Sequence, residues 1–202
     1  MIAATLGFVP AGFAQPLPAE STPARTFSNK QYHFTVAFPD GCRYEEGPGT
    51  VDAICSADFN SERSIRIESA RALVMEVGAE ALSAGASRSA SYARYSNSEP
   101  AFREELPQAV CGESEPSRAR VQAIEQAAEG ERIVYTAELI CAEVRFLQIS
   151  ERRASVRYIL APDVRYRLIA RAPVEDFDKH KQAIAAFFDG FRILPAEGKE
   201  PQ

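Results

Sequence analysis

The chain has 202 residues, 46% of them hydrophobic and 25% charged, with a formal net charge of -5. This length and apolar content suit one folded domain with tails and exclude a disordered chain. The mild acidity argues against general nucleic-acid binding, which draws on a dense excess of Lys and Arg.

Residues 1–14 carry no charge and end in Gly12-Phe13-Ala14. Small residues at the last and third-last positions are what a signal peptidase reads, so cleavage is expected after Ala14. The charged segment that usually precedes such a stretch is missing, so the segment reads as a signal-peptide remnant. It is too short for a membrane span, and no other uncharged stretch reaches the required length. With no Cys near the cleavage point, a lipid anchor is not expected. The chain therefore divides into a remnant (1–14), a Pro- and Ala-rich linker (15–26), one domain (27–195) and a tail (196–202). The expected location is periplasmic or secreted, without stable membrane insertion.

The first strand is expected over 32–38, where Tyr32, Phe34, Val36 and Phe38 alternate onto one face. Pro39-Asp40-Gly41 ends it. Gly47-Pro48-Gly49-Thr50 is a strong turn signal, and a hairpin around it with Glu46 opposite Val51 places Cys42 opposite Cys55. Directly opposed residues lie within disulfide range. Four cysteines in an exported chain read as two bridges, leaving Cys111 with Cys141. None of the cysteines shows the C-x-x-C spacing of a redox or zinc site.

A strand follows at 63–69 with Ile65 and Ile67 inward. From 72 to 93 the composition is Ala-rich. Leu73, Val74, Val77, Ala81 and Leu82 lie at helical spacing, which predicts a helix. Residues 95–118 read as a long loop held by Cys111. Strands are predicted at 119–126, 131–142, 143–150, 153–160 and 164–171. The inward rows are Ile133, Tyr135, Ala137 and Leu139, then Val156, Tyr158 and Leu160, then Val164, Tyr166 and Leu168. A helix is predicted after Pro173, with Glu175, Asp176 and Asp178 at its positive end. Phe177, Ile184, Phe187 and Phe188 form its apolar face. Gly190 ends it, and residues 191–194 form a last strand. The fold class is α+β: an antiparallel sheet with helices packed against it and two disulfides.

Two segments carry a resemblance. Tyr32-His33-Phe34-Thr35-Val36-Ala37-Phe38-Pro39-Asp40-Gly41 resembles the opening strand of the PsbP-like family, which ends in Pro-x-Gly. Tyr166-Arg167-Leu168-Ile169-Ala170-Arg171-Ala172-Pro173, the following helix, and Phe188-Asp189-Gly190-Phe191-Arg192-Ile193-Leu194 resemble that family's closing strand, helix and final strand. Two positions depart from the pattern: Cys42 stands where the family often has Trp, and Gly190 where it has Ser. The resemblance implies an antiparallel sheet flanked by helices and a binding or assembly role rather than catalysis.

Candidate chemistry is sparse. The two histidines are His33, on the first strand, and His180. Asp176-x-Asp178-x-His180 looks like a ligand run, but i, i+2, i+4 spacing on a helix spreads the side chains around the axis. Ser83 in Ala81-Leu82-Ser83-Ala84-Gly85 falls short of a nucleophile elbow and sits in a predicted helix. The carboxylate pairs Glu45-Glu46 and Glu104-Glu105 read as solvated charge. The feature to follow is an arginine row. A connecting loop of Ala161-Pro162-Asp163 sets Arg157 opposite Arg167 and Arg153 opposite Arg171, with Arg165 beside them. Like charges directly opposed destabilise a strand pair. Either Glu138, Glu143 and Glu151 offset them, or the row awaits an anionic ligand or an acidic protein, which the planar fork of Arg suits.

The reading is a non-enzymatic exported binding or accessory protein without a cofactor. Its partner would be another envelope protein or an anionic ligand. The alternatives are a small-molecule or lipid carrier with an internal pocket, and a hydrolase built on Ser83 or His33.

Overall fold

The computed structural model describes residues 25–39, 43–46, 53–57, 73–82, 99–112, 119–145 and 148–195. The expected strand at 63–69 lies outside these residues, as do the expected signal remnant and tail.

A seven-stranded sheet runs through the middle. Its strands are β3 (Arg43–Glu46), β4 (Ala53–Ala57), β5 (Leu73–Ala81), β6 (Arg120–Glu129), β7 (Arg132–Arg145), β8 (Gln148–Leu160) and β9 (Val164–Pro173). The spatial order is β3-β4-β5-β9-β8-β7-β6, and each neighbouring pair is antiparallel. A three-stranded sheet holds β1 (Arg25–Asn29), β2 (Phe34–Phe38) and β10 (Arg192–Ile193), with β2 in the centre. Among the described residues the helices are α1 (Glu99–Cys111), α2 (Val174–Phe177) and α3 (Lys181–Asp189), with a 3-10 turn at Asp178–His180 between the last two. The α+β class and the antiparallel sheet are as the sequence predicts.

Both faces of the large sheet are covered. On one face, β2 and the α2–α3 segment pack through Phe34, Val36, Phe38, Phe177, Ile184, Phe187, Phe188 and Phe191 onto Met75, Val77, Tyr166, Leu168 and Ala170. The Phe38 and Phe187 rings stack at 5.4 Å. On the other face, α1 buries Phe102, Leu106 and Val110 against Tyr135, Ala137, Leu139, Val156, Tyr158 and Leu160. Phe102 meets Tyr135 at 4.5 Å and Tyr158 at 4.9 Å between ring centroids. Such aromatic pairs contribute about 0.5–1.5 kcal/mol each beyond their area burial.

Several expectations are corrected. The predicted helix at 72–93 is a strand over Leu73–Ala81, with Leu73, Met75, Val77 and Ala79 buried at period two. Alanine favours helix in isolation, but pairing with β4 on one side and β9 on the other outweighs that preference. The predicted loop at 95–118 contains α1 instead. Phe102, Leu106 and Val110 recur at i, i+4 and i+8 and bury one stripe, and this burial tolerates Pro107 inside the helix. Gly112, at φ 81, ends the helix in the left-handed region. The strands predicted at 131–142, 143–150 and 153–160 are two long ones, β7 and β8. The ladder between them runs without a break from Ile133↔Leu160 to Arg145↔Gln148. β1 starts at Arg25, inside the segment read as linker.

The β6–β7 turn is Gly130-Glu131, with Gly130 at φ 62, as a two-residue hairpin with Gly first requires. β6 is an outer strand, mostly exposed, and its register shifts between Val121 and Ala123.

One bridge is described in full: Cys111 at the end of α1 is bonded to Cys141 on β7, with Cα atoms 5.4 Å apart. The second expected pair cannot be given as drawn. The β3–β4 register sets Tyr44, not Cys42, among the residues described opposite Cys55, and Glu46 opposite Ala53 rather than Val51. Cys55 is disulfide-bonded, and Cys42 lies outside the described residues.

Gly190 ends α3, but at φ -78 it is right-handed. Its requirement is space: a Cβ there would meet Ala186 O at 2.9 Å, Ala37 Cβ at 3.0 Å and Ala37 O at 3.1 Å. The Gly190 carbonyl also accepts from Ala37 N–H at 3.2 Å, tying the helix end to β2. Gly190→Ala is expected to destabilise the fold by about 1–3 kcal/mol through this overpacking, read as a lower urea midpoint with an unchanged slope.

Candidate binding site

The β8–β9 register decides where the arginines go. Tyr158 lies opposite Arg167, Arg157 opposite Leu168, Ala154 opposite Arg171 and Arg153 opposite Ala172. Leu160 stands opposite Arg165 rather than Val164, with Ala161 N–H donating to Val164 O at 3.0 Å and Leu82 N–H to Asp163 O at 2.9 Å. One residue of slip sends every β9 side chain to the opposite face. The expected row of opposed arginines is thereby corrected. Arg153 and Arg157 lie on the α2–α3 face; Arg165, Arg167 and Arg171 lie on the α1 face.

On the α1 face the arginines have carboxylates at hand. Arg171 pairs with Glu76 and donates to Val110 O at 2.9 Å, so it links β9, β5 and the end of α1. Arg165 pairs with Glu80 and, at 2.6 Å, with Glu105 of α1. Its guanidinium lies 5.6 Å from the Tyr158 ring centroid. Arg167 lies against the Tyr158 hydroxyl. Burial pushes that phenol up to about 12, opposed by the charges of Arg167 and then Arg165. Among the described residues no hydrogen bond of ordinary geometry reaches the hydroxyl. Arg152, 7% exposed, donates to Arg171 O at 3.4 Å.

On the opposite face Arg153 donates to Glu138 at 2.5 Å and to Asp178 at 3.4 Å, over the Phe177 ring at 4.8 Å. Of the acids proposed as offsets, Glu138 thus acts on Arg153, while Glu151 pairs with Arg120 at 2.6 Å. Arg157 donates to Phe188 O at 3.1 Å, 5.1 Å from that ring.

The remaining candidates serve the fold. His33 stands at φ 51 in the β1–β2 turn, and its carbonyl accepts from Leu194 N–H at 2.7 Å. His180 is buried in the 3-10 turn. Desolvation lowers its pKa below the ordinary 6.5, with Asp176 opposing and Lys179 adding to the effect. Asp176 pairs with Lys179 at 2.5 Å, and Asp178 with Lys181 at 3.0 Å and with Arg153. Ser83 lies outside the described residues. Glu105 is not merely solvated charge, because it is held by Arg165. Sequence reading missed Glu76 and Glu80 as partners. Their i, i+4 spacing on one strand face was masked by reading that segment as helix.

A cleft of about 430 Å³ opens where the end of α3 and β10 stand over β7 and β8. Val134, Ile159, Phe188, Phe191 and Ile193 supply apolar wall, and Arg132, Arg157, Arg192, Glu129 and Asp189 the charge. Arg132 and Arg192 were not singled out in the sequence. No helix among the described residues is long and apolar enough to cross a membrane.

No protein-family model and no curated protein matches the chain. Solved structures do. The solution structure of the cyanobacterial PsbP (CyanoP) of Synechocystis sp. PCC 6803 is similar at a TM-score of 0.51 and 12% identity, covering 89% of this chain and 98% of that one. LpqN of Mycobacterium tuberculosis, described as involved in cell envelope biogenesis, is similar at 0.50 and 11%, covering 87% and 88%. The fold is PsbP-like, as the two sequence segments imply.

Two outcomes follow from the geometry. Arg171→Ala strands the largely buried Glu76 and removes the hydrogen bond to Val110 O, so it is expected to lower stability by about 2–4 kcal/mol in urea unfolding. Arg132→Gln changes it by less than about 0.5 kcal/mol. For His180, folding depresses the pKa of a base, so its stabilising contribution is complete above 6.5 and is lost as pH falls below that value. Urea midpoints should therefore drop between about pH 7.5 and about pH 5.5, and His180→Gln should flatten that slope.

Proposed function

We propose that this chain is an exported, non-enzymatic accessory protein that works by binding another component of the cell envelope. The observation that carries the reading is the PsbP-like fold, matched along nearly the whole of this chain and of CyanoP and LpqN. The envelope role printed for LpqN points in the same direction.

Export draws on the cysteines. Cys111 and Cys141 are bonded and Cys55 is oxidised, and such bridges persist outside the reducing cytosol. The reading therefore includes a second bridge, Cys42 with Cys55. A bridge closing a loop as long as that between Cys111 and Cys141 contributes about 3–4 kcal/mol in the chain-entropy model. The non-catalytic part draws on how the titratable groups are used. His33 shapes a turn, His180 is buried, and Asp176, Asp178 and Glu105 are engaged by cations. Binding suits a sheet packed on both faces, because a preorganised surface loses little freedom when a partner docks.

The test is differential alkylation on fractionated cells. All four cysteines should resist alkylation until reduced, in protein recovered from the periplasm or medium. A cytoplasmic pool with reactive Cys111 and Cys141 would overturn the exported reading. The chain carrying His33→Asn and His180→Gln should still capture the same envelope partner; loss of capture-independent cellular function in that variant would favour an enzyme.

A further inference from the structure

The layer on the α2–α3 face is narrower than the sheet beneath it. It covers β4, β5, β9, part of β8 and, on β7, Val134, and ends at the α3–β10 junction. At that step lies the 430 Å³ cleft, within the size range of small-molecule sites.

Its arginines are held differently from four others. Arg120, Arg153, Arg165 and Arg171 each touch a carboxylate. The three cleft arginines do not, among the described residues. Arg157 donates to Phe188 O, and Arg192 donates to Asp189 O and, at 2.7 Å, to Phe191 O. The Phe188 and Asp189 carbonyls belong to the end of α3, whose partial negative charge accounts for the placement of two cations. Backbone carbonyls satisfy hydrogen bonds but leave each full charge uncancelled. Each guanidinium has five N–H donors, and both bond these carbonyls through one terminal nitrogen. Arg132 has no ion-pair partner among the described residues, although it stands opposite Glu129 in the hairpin ladder. Glu129 and Asp189 also line the cleft, so three positive groups face two negative ones in a chain whose net charge is -5.

Beside the charges lie Val134, Ile159 and Ile193. By strand register, Arg132, Val134, Arg157 and Ile159 share one sheet face. We propose that this cleft binds a small amphipathic carboxylate, its head held by Arg132, Arg157 and Arg192 and its apolar body laid against Val134, Ile159 and Ile193. Guanidinium and carboxylate match as planar forks, and the apolar wall supplies the affinity that a bare anion lacks. This goes beyond the accessory role and does not depend on a protein partner.

Displacement of anilinonaphthalene sulfonate fluorescence tests it, using dodecanoate below its micelle concentration. Dodecyltrimethylammonium provides the same tail with the opposite charge, and inorganic phosphate an anion without a tail. Dodecanoate should displace the dye about tenfold or more better than either. Arg132→Gln with Arg192→Gln should weaken dodecanoate about tenfold or more while the melting temperature holds. Arg120→Gln, at a distant ion pair, should leave binding unchanged. Equal displacement by the cation, equal displacement by phosphate, or undiminished dodecanoate binding in the double variant would each overturn the proposal. Its failure would leave the exported accessory reading intact, because that reading is tested by location and thiol state.

Discussion

The β8–β9 pair carries two cores at once. Val156, Tyr158, Leu160 and Ile169 point toward α1, while Ile159, Tyr166, Leu168, Ala170 and Ala172 point toward β2 and α3. Strands buried on both sides cannot slip, since one residue of shift would exchange the contents of the two layers. The turn after Leu160 sets this register, and the other elements dock onto the surfaces it defines. Tyr166 shows how far the coupling extends: its hydroxyl donates to Tyr32 O in the β1–β2 turn at 3.0 Å.

Charged residues on such strands need partners, because a group half withdrawn from water loses solvation that only a hydrogen-bonded counter-charge restores. The α1 face meets this need with acids from β5 and from α1 itself, which turns Arg165 and Arg171 into ties between elements far apart in sequence. The opposite face meets it less completely. Around Arg157 the partners are carbonyls and an aromatic ring rather than carboxylates. Arg165, Arg171 and Arg153 are thus neutralised by carboxylates, while Arg157 keeps its charge.

The strands with alternating patterns were legible from the residues: β2, the long meander and the buried face of the final helix all follow their periodicity. The two segments that carried the family resemblance even meet, since β10 pairs with β2 to build the small sheet. What was not legible depends on context. β5 is rich in Ala and Val at spacings that suit either period, and only its neighbours choose the strand. α1 hides a clear apolar stripe among Glu and Pro. The arginine surface failed for a narrower reason. Turn length sets strand parity, and Ala161-Pro162-Asp163 is compatible with either parity when no partner is known.

The irregular step in the β6–β7 ladder has a consequence for the molecule in company. Among the described residues β6 ends the sheet, and its outer row of amide and carbonyl groups could template growth by a stranger's chain. A bulge near its start breaks the even spacing that such stacking requires, and Glu125 and Glu129 set negative charge along the rest. The register break and the two carboxylates guard this border against self-association.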